Sequence, residues 1–213
     1  VQTLIESGAK INSRDRLSRT KLMLAAMMNN PQIIQELLIH GADQSARTKD
    51  GKTALMYAAA KSPKVLNQLL ANTEQINLSN RKGYTALMYA TISGQAENIK
   101  TLIDNNANLE AQNDQGFTPL ILAARNQQNE SLATLILEGA QINHQDLQGK
   151  TALMHAVNTG NLKTIRTLLE AQPNLELMDE ENQTALSIAL IKNKPEIYLL
   201  LKAAGANDQG LHE

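Results

Sequence analysis

Cysteine and tryptophan are absent from this chain of 213 residues, and phenylalanine occurs once. The missing cysteines exclude a disulfide framework, a thiolate zinc site and a cysteine nucleophile, but they do not fix the compartment. Aromatic residues make up only 2% of a chain that is 42% hydrophobic, so the core has to be built from Leu, Ile, Ala and Met. That mixture suits closely stacked helices. No apolar run approaches the roughly 18–20 residues needed to cross a bilayer, and the N-terminus lacks a charged segment followed by a long apolar stretch. The cytoplasm is the expected compartment, with the periplasm or the exterior as alternatives if an upstream signal has been removed. Val1 falls inside a predicted helix, which leads us to expect further sequence before it.

Charge of one sign is also lacking overall, since the formal net charge is −1. This gives no global reason to expect nucleic acid or an acidic membrane as partner. The distribution is uneven, however. Residues 1–100 carry 13 Lys and Arg against 7 Asp and Glu, a net +6, whereas residues 101–213 carry 7 against 14, a net −7.

What is present is a repeat. One phrase recurs as Thr20-Lys21-Leu22-Met23, Thr53-Ala54-Leu55-Met56, Thr85-Ala86-Leu87-Met88, Thr118-Pro119-Leu120-Ile121, Thr151-Ala152-Leu153-Met154 and Thr184-Ala185-Leu186-Ser187, with successive threonines 33, 32, 33, 33 and 33 apart. A second phrase keeps the same register at Gly8-Ala9, Gly41-Ala42, Gly139-Ala140 and Gly205-Ala206, with degenerate copies at Asn106-Ala107 and Gln172-Pro173. Each unit reads as two short helices. The threonine caps the first, which is lined by small residues such as Ala58 and Ala59. A break at Asn29-Asn30-Pro31, Ser62-Pro63, Ser93-Gly94, Gly160-Asn161 or Asn193-Lys194-Pro195 starts the second. Pairs such as Leu37-Leu38, Leu102-Ile103 and Leu168-Leu169 supply its apolar face, and the glycine suits a left-handed C-terminus. Polar turns such as Asp50-Gly51, Lys82-Gly83, Gln115-Gly116 and Gln148-Gly149 connect the units. The one-residue deficit of the second unit falls at Lys61-Ser62-Pro63.

On these residues the chain resembles the ankyrin-repeat family, whose signature is a 33-residue period, a β-turn, two helices and Thr-Pro-Leu-His-x-Ala. The resemblance runs over essentially the whole chain, with Thr118-Pro119-Leu120 the closest copy; most units have Ala for Pro, and Met, Ile or Ser for His. It implies an all-α repeat solenoid of stacked helix-turn-helix repeats joined by β-turn or hairpin loops. We expect one domain over 1–213, with a partial repeat at 1–14 and repeats at 15–47, 48–79, 80–112, 113–145, 146–178 and 179–213. Each unit can bury its apolar face only against its neighbours.

A search for chemistry finds no constellation. His40, His144, His155 and His212 occupy different repeat positions and lack the spacing of a metal motif or a triad, which assigns them surface or packing roles. No His-Glu-x-x-His, phosphate loop or dinucleotide fingerprint occurs. Asp114, Asp146 and the run Asp179-Glu180-Glu181 read as solvated turn charges. Met23, Met56, Met88 and Met154 recur at one repeat position, as core packing does. We therefore expect no catalytic residues, no cofactor and no metal.

In the ankyrin family, ligands are usually gripped by turn tips and by the exposed side of the first helices. Mapped onto this register, the resemblance selects Arg16, Leu17, Arg19, Arg47, Lys49, Lys52, Arg81, Lys82, Tyr84, Asp114, Phe117 and Lys150 at turns, and Met27, Met28, Lys61, Ile92, Arg125 and Asn158 on first helices. Met27 and Met28 fit packing and contact equally well. Tyr84 and Phe117 occupy equivalent places before the threonine, where large aromatics are expected outside the core, whereas Tyr57 and Tyr89 lie within the helix phrase and read as packing residues. Aromatic and Arg side chains make strong anchors, so the expected contact centres on Tyr84 and Phe117, flanked by Arg81, Lys82 and Arg125. Local packing of the two rings is the competing reading. The basic turns point to an acidic segment of a partner protein. The expected function is a non-enzymatic scaffold; the alternatives are a regulatory subunit of an enzyme and a polyanion binder. Nucleic acid is the weaker partner because no stacking series accompanies the charges. A monomer is expected, and head-to-tail self-association is a third possibility.

Overall fold

The computed structural model describes residues 10–70 and 75–207. The expected partial repeat at 1–14 lies mostly outside these residues, as do Gly8-Ala9 and His212. Twelve helices and no strand are found among the described residues, apart from isolated antiparallel bridges at Arg14–Thr20 and Ser79–Thr85. The chain divides into two compact units, Val1–Ala111 and Gln112–Glu213.

In the first unit the helices are α1 (Lys21–Met27), α2 (Pro31–Ile39), α3 (Ala54–Ala59), α4 (Pro63–Leu69), α5 (Ala86–Ile92) and α6 (Ala96–Asp104). The first helices of successive repeats, α1, α3 and α5, pack in sequence on one another, and each also packs on its own second helix. The second unit repeats the arrangement with α7 (Pro119–Arg125), α8 (Asn129–Leu137), α9 (Ala152–Thr159), α10 (Leu162–Glu170), α11 (Ala185–Ile191) and α12 (Pro195–Ala203). Isolated helices shorter than about 12 residues are marginal in water, so their persistence here comes from stacking.

The repeated phrase explains the local geometry. All six threonines sit at the N-cap in extended conformation, and each Oγ1 accepts the N–H three residues on, from Met23, Met56, Met88, Ile121, Met154 and Ser187. Such a cap contributes about 1 kcal/mol. The methionine position is core: Met23, Met56, Met88 and Met154 are all buried. Of each leucine pair, the first residue is buried, as at Leu37, Leu102 and Leu168, and the second only half-buried. The degenerate phrases keep the geometry without glycine, since Asn106 and Gln172 take the left-handed conformation at φ 67° and 52°. In the shortened repeat, Ser62 has φ −68° where its counterpart Asn29 is left-handed, so the deletion removed the left-handed residue of the interhelical turn. Asn29 Oδ1 then accepts hydrogen bonds from both the N–H and the hydroxyl of Ser62, tying the two connections together.

The turns are built around a residue five places before each threonine. Asp15, Asn80, Asn113, Asp146 and Asp179 each accept two backbone N–H groups on Oδ1, from the residues two and four further on, at 2.9–3.0 Å. Thr48 takes this place in the second repeat and accepts the Lys52 N–H. Asp146 and Asp179 are consequently buried, which corrects their reading as solvated charges. Their carboxyl groups are internal splints for the backbone. Within each unit the turn tips also bond to one another: Lys49 N–H donates to Leu17 O, Arg81 to Asp50, Leu147 to Gln115 and Glu180 to Gln148.

Candidate functional site

The turn face of the first unit holds a pocket of about 490 Å3, lined by Asp50, Lys52, Asn80, Arg81, Lys82, Tyr84 and Tyr89. Two successive turns form it, brought side by side by the 2.9 Å bond from Arg81 N–H to Asp50 O. Its wall is aromatic, with the rings of Tyr84 and Tyr89 tilted at 42° and 5.9 Å apart. Lys52 Nζ lies 5.0 Å from the Tyr89 ring centroid and 5.6 Å from that of Tyr57, within cation–π range. Asn80 Nδ2 donates to Tyr89 Oη at 3.0 Å. Burial raises the Tyr57 phenol above its ordinary range despite the neighbouring Lys52.

Tyr57 and Tyr89, expected as packing residues, pack against their neighbours at the edge of the turn face and not inside the buried core. Both are half-buried, like Tyr84, and Tyr89 lines the pocket. Their place, four residues after the threonine, is occupied by Leu24, Tyr57, Tyr89, Leu122, His155 and Ile188. That variation, beside the near-constant methionine one residue earlier, was the signal in the sequence.

Other expected site residues of this unit divide by what already engages them. Arg16, Lys49, Arg81 and Lys82 are exposed, and so is Leu17. Arg19 is paired with Asp15 at 2.7 Å, and the hydrogen bond from the Arg19 backbone N–H holds the Asp15 carboxyl below its usual range. Arg47 is spent on the carbonyls of Gly51 and Ser79, splinting one turn to the next. Met28 is 72% exposed; Met27, Lys61 and Ile92 are half-buried.

The second unit has a different cluster. Phe117 is only 5% exposed, contrary to its expected place outside the core. Its ring meets His155 edge-on at 5.4 Å, and the Arg125 guanidinium lies 4.8 Å over it. The half-enclosed hollow beside it, about 350 Å3, is edged by Asp114, Arg125 and the exposed Leu147. His155 Nε2 lies 2.7 Å from Asp146 Oδ2, so this histidine has a buried carboxylate partner that spacing alone did not reveal. Burial still depresses its pKa, outweighing the attraction of Asp146. Lys150 Nζ faces Asp179 at 3.7 Å, and Asn158 is exposed while its carbonyl accepts Lys194 Nζ. Among the described residues no three His, Asp or Glu side chains converge as a metal ion would require, and no helix is long and apolar enough to cross a membrane.

Threonine-capped helix pairs joined by splinted turns, with the chemistry confined to turn tips and first helices, define a helical-repeat protein that presents a surface. Comparison with known proteins gives that class its family. The model for ankyrin repeats, in three copies, matches residues 1–80, 59–146 and 128–209. The chain belongs to the ankyrin-repeat family, whose repeats generally mediate protein–protein interactions. An ankyrin repeat protein of Acanthamoeba polyphaga mimivirus is 43% identical over 58 residues, 27% of this chain and 8% of that protein. Ankyrin repeat and SOCS box protein 6 of Mus musculus is 41% identical over 64 residues, 29% of this chain and 15% of its own length. The chain thus spans a small fraction of both relatives. Among solved structures, the ankyrin repeat domain of Bcl-3, described as a unique member of the IkappaB protein family, superposes with a TM-score of 0.81 at 28% identity, covering 94% of this chain and 90% of that one.

Proposed function

We propose that this chain is a non-enzymatic scaffold that holds a partner protein on the basic turn face of its first unit, through an acidic segment of that partner. One observation carries the reading. Arg16, Lys49, Arg81 and Lys82 project from successive turns, and none enters the ion pairs found among the described residues. Tyr84 provides the aromatic anchor beside them. Phe117 and Arg125 serve a separate contact, in which Arg125 and the exposed Leu147 present the surface and Phe117 supports it from beneath. Cations held out to solvent by rigid turns attract an acidic surface over about a Debye length, ~10 Å at 0.1 M salt, and speed encounter more than they deepen affinity.

The test is a partner isolated from the native source, measured against wild type and against a chain with Arg16, Lys49, Arg81 and Lys82 all changed to Glu. Affinity should fall with added salt in wild type and drop by at least about tenfold in the variant. Unchanged affinity would reject this face. The polyanion alternative predicts salt-dependent retention of wild type on RNA or duplex DNA, abolished in the same variant; absence of retention removes it.

A further inference from the structure

The pocket of the first unit has a chemical polarity that its charge alone does not describe. Asn80 Oδ1 is committed to the N–H groups of Lys82 and Tyr84, both at 2.9 Å. This fixes the amide orientation, and Nδ2 must then donate to Tyr89 Oη. A phenol that accepts from Asn80 keeps its O–H for another acceptor. The charged groups lining the same pocket are Lys52, Arg81 and Lys82, all donors, and one acid, Asp50, a formal excess of two positive charges.

We propose that this pocket is the docking point for one oxyanion-bearing side chain, a carboxylate or a phosphate monoester, on an acidic peptide segment of the partner. This rests on the scaffold reading above and specifies its contact. The Tyr89 hydroxyl and the Lys52 ammonium supply the inner donors, and Arg81 and Lys82 close over the anion from the turn. An aromatic wall would otherwise suit a cationic ligand. Here the protein's own Lys52 already lies over the Tyr89 ring, and Arg81 and Lys82 repel a second cation. Equivalent turns of the second unit lack the combination: Asn113 is followed by Asp114 and Gln115 with Leu122 in the tyrosine's place, and Asp146 faces His155.

Asn80→Asp is the decisive variant. Aspartate holds the same turn at Asp15, Asp146 and Asp179, so the fold persists; yet its Oδ2 would take the Tyr89 O–H and add a negative charge to the pocket. Three blocked tripeptides serve as probes in amide NMR titrations of the full chain: triglutamate, glycyl-phosphoseryl-glycine and triglutamine. Saturable shifts confined to residues 50–52, 80–84 and 89 are expected with the first two and not with triglutamine. The tighter anion identifies the source, since a phosphate carries about −1.5 to −2 at neutral pH. Asn80→Asp should weaken anion binding by at least about tenfold, and Tyr89→Phe by about tenfold as well, as for a lost hydrogen bond to a charged group. Equal shifts from triglutamine, no saturable shift, or anion binding unaffected by Asn80→Asp would each overturn the assignment. If the peptides fail while partner affinity still collapses on reversing the turn cations, the pocket falls and the basic-face reading stands. If neither responds, both fall.

Discussion

Two glycines of the second unit separate backbone strain from turn stacking. Gly116 and Gly139 are both left-handed, at φ 76° and 89°, so alanine at either carries the same conformational penalty, about 1 kcal/mol. Their surroundings differ. A Cβ at Gly139 meets nothing within 4 Å, whereas at Gly116 it would stand 2.7 Å from Leu147 N and 3.2 Å from Asp146 C. Backbone, not a flexible side chain, blocks the second position. The turns would have to part by roughly 0.5 Å, stretching the 3.2 Å bond from Leu147 N–H to Gln115 O, at a further cost of about 2–3 kcal/mol for overpacking and a weakened hydrogen bond. Gly139→Ala should therefore destabilise by about 1 kcal/mol and Gly116→Ala by about 3–4 kcal/mol. Urea unfolding followed by circular dichroism reads the difference as a shift in midpoint at unchanged slope. Equal losses would refute the idea that close approach of the turns holds this unit together.

Acid sensitivity follows from His155. Its folded pKa lies below the unfolded value, so the unfolded chain binds more protons and stability is lost as pH falls below about 6.5, levelling off only beneath the folded pKa. His155→Tyr, which can keep the bond to Asp146 through its hydroxyl, should flatten the melting temperature across pH 5–7; an unchanged acid slope would assign the effect elsewhere. Asn98 is fully buried and donates to the carbonyls of Ala59 and Lys61 in the preceding repeat, at 2.9 and 2.7 Å. Asn98→Leu should lose about 2–4 kcal/mol in chemical denaturation, because both carbonyls are stranded; a loss under 1 kcal/mol would show that they find other partners.

The fold was legible because its causes are local and repeated. A threonine at each cap, a proline or polar break, and paired leucines state the helix pair six times over, and the deletion at Ser62 could be placed from spacing alone. The site was less legible. Phe117 and Tyr84 hold the same register, yet one is buried under Arg125 against His155 and the other is half-open beside Lys52, a difference set by neighbours in three dimensions. The roles of Asn80 and Asp146 were hidden for a related reason. A polar residue in a turn looks solvated in sequence, whereas here its oxygen is consumed by backbone N–H groups. Tyr57 and Tyr89 were readable only by noticing which position of the first helix varies.

The bonds that join one turn tip to the next have a consequence for how such a chain grows. Lys49 to Leu17, Arg81 to Asp50, Leu147 to Gln115 and Glu180 to Gln148 all run from main chain to main chain. Beyond the glycine that lets the turns approach, they ask nothing of side-chain identity. A duplicated repeat would find the same fastenings waiting on either side, so the number of repeats can drift in evolution while the tips above those fastenings are rewritten independently, each turn carrying its own ligand chemistry.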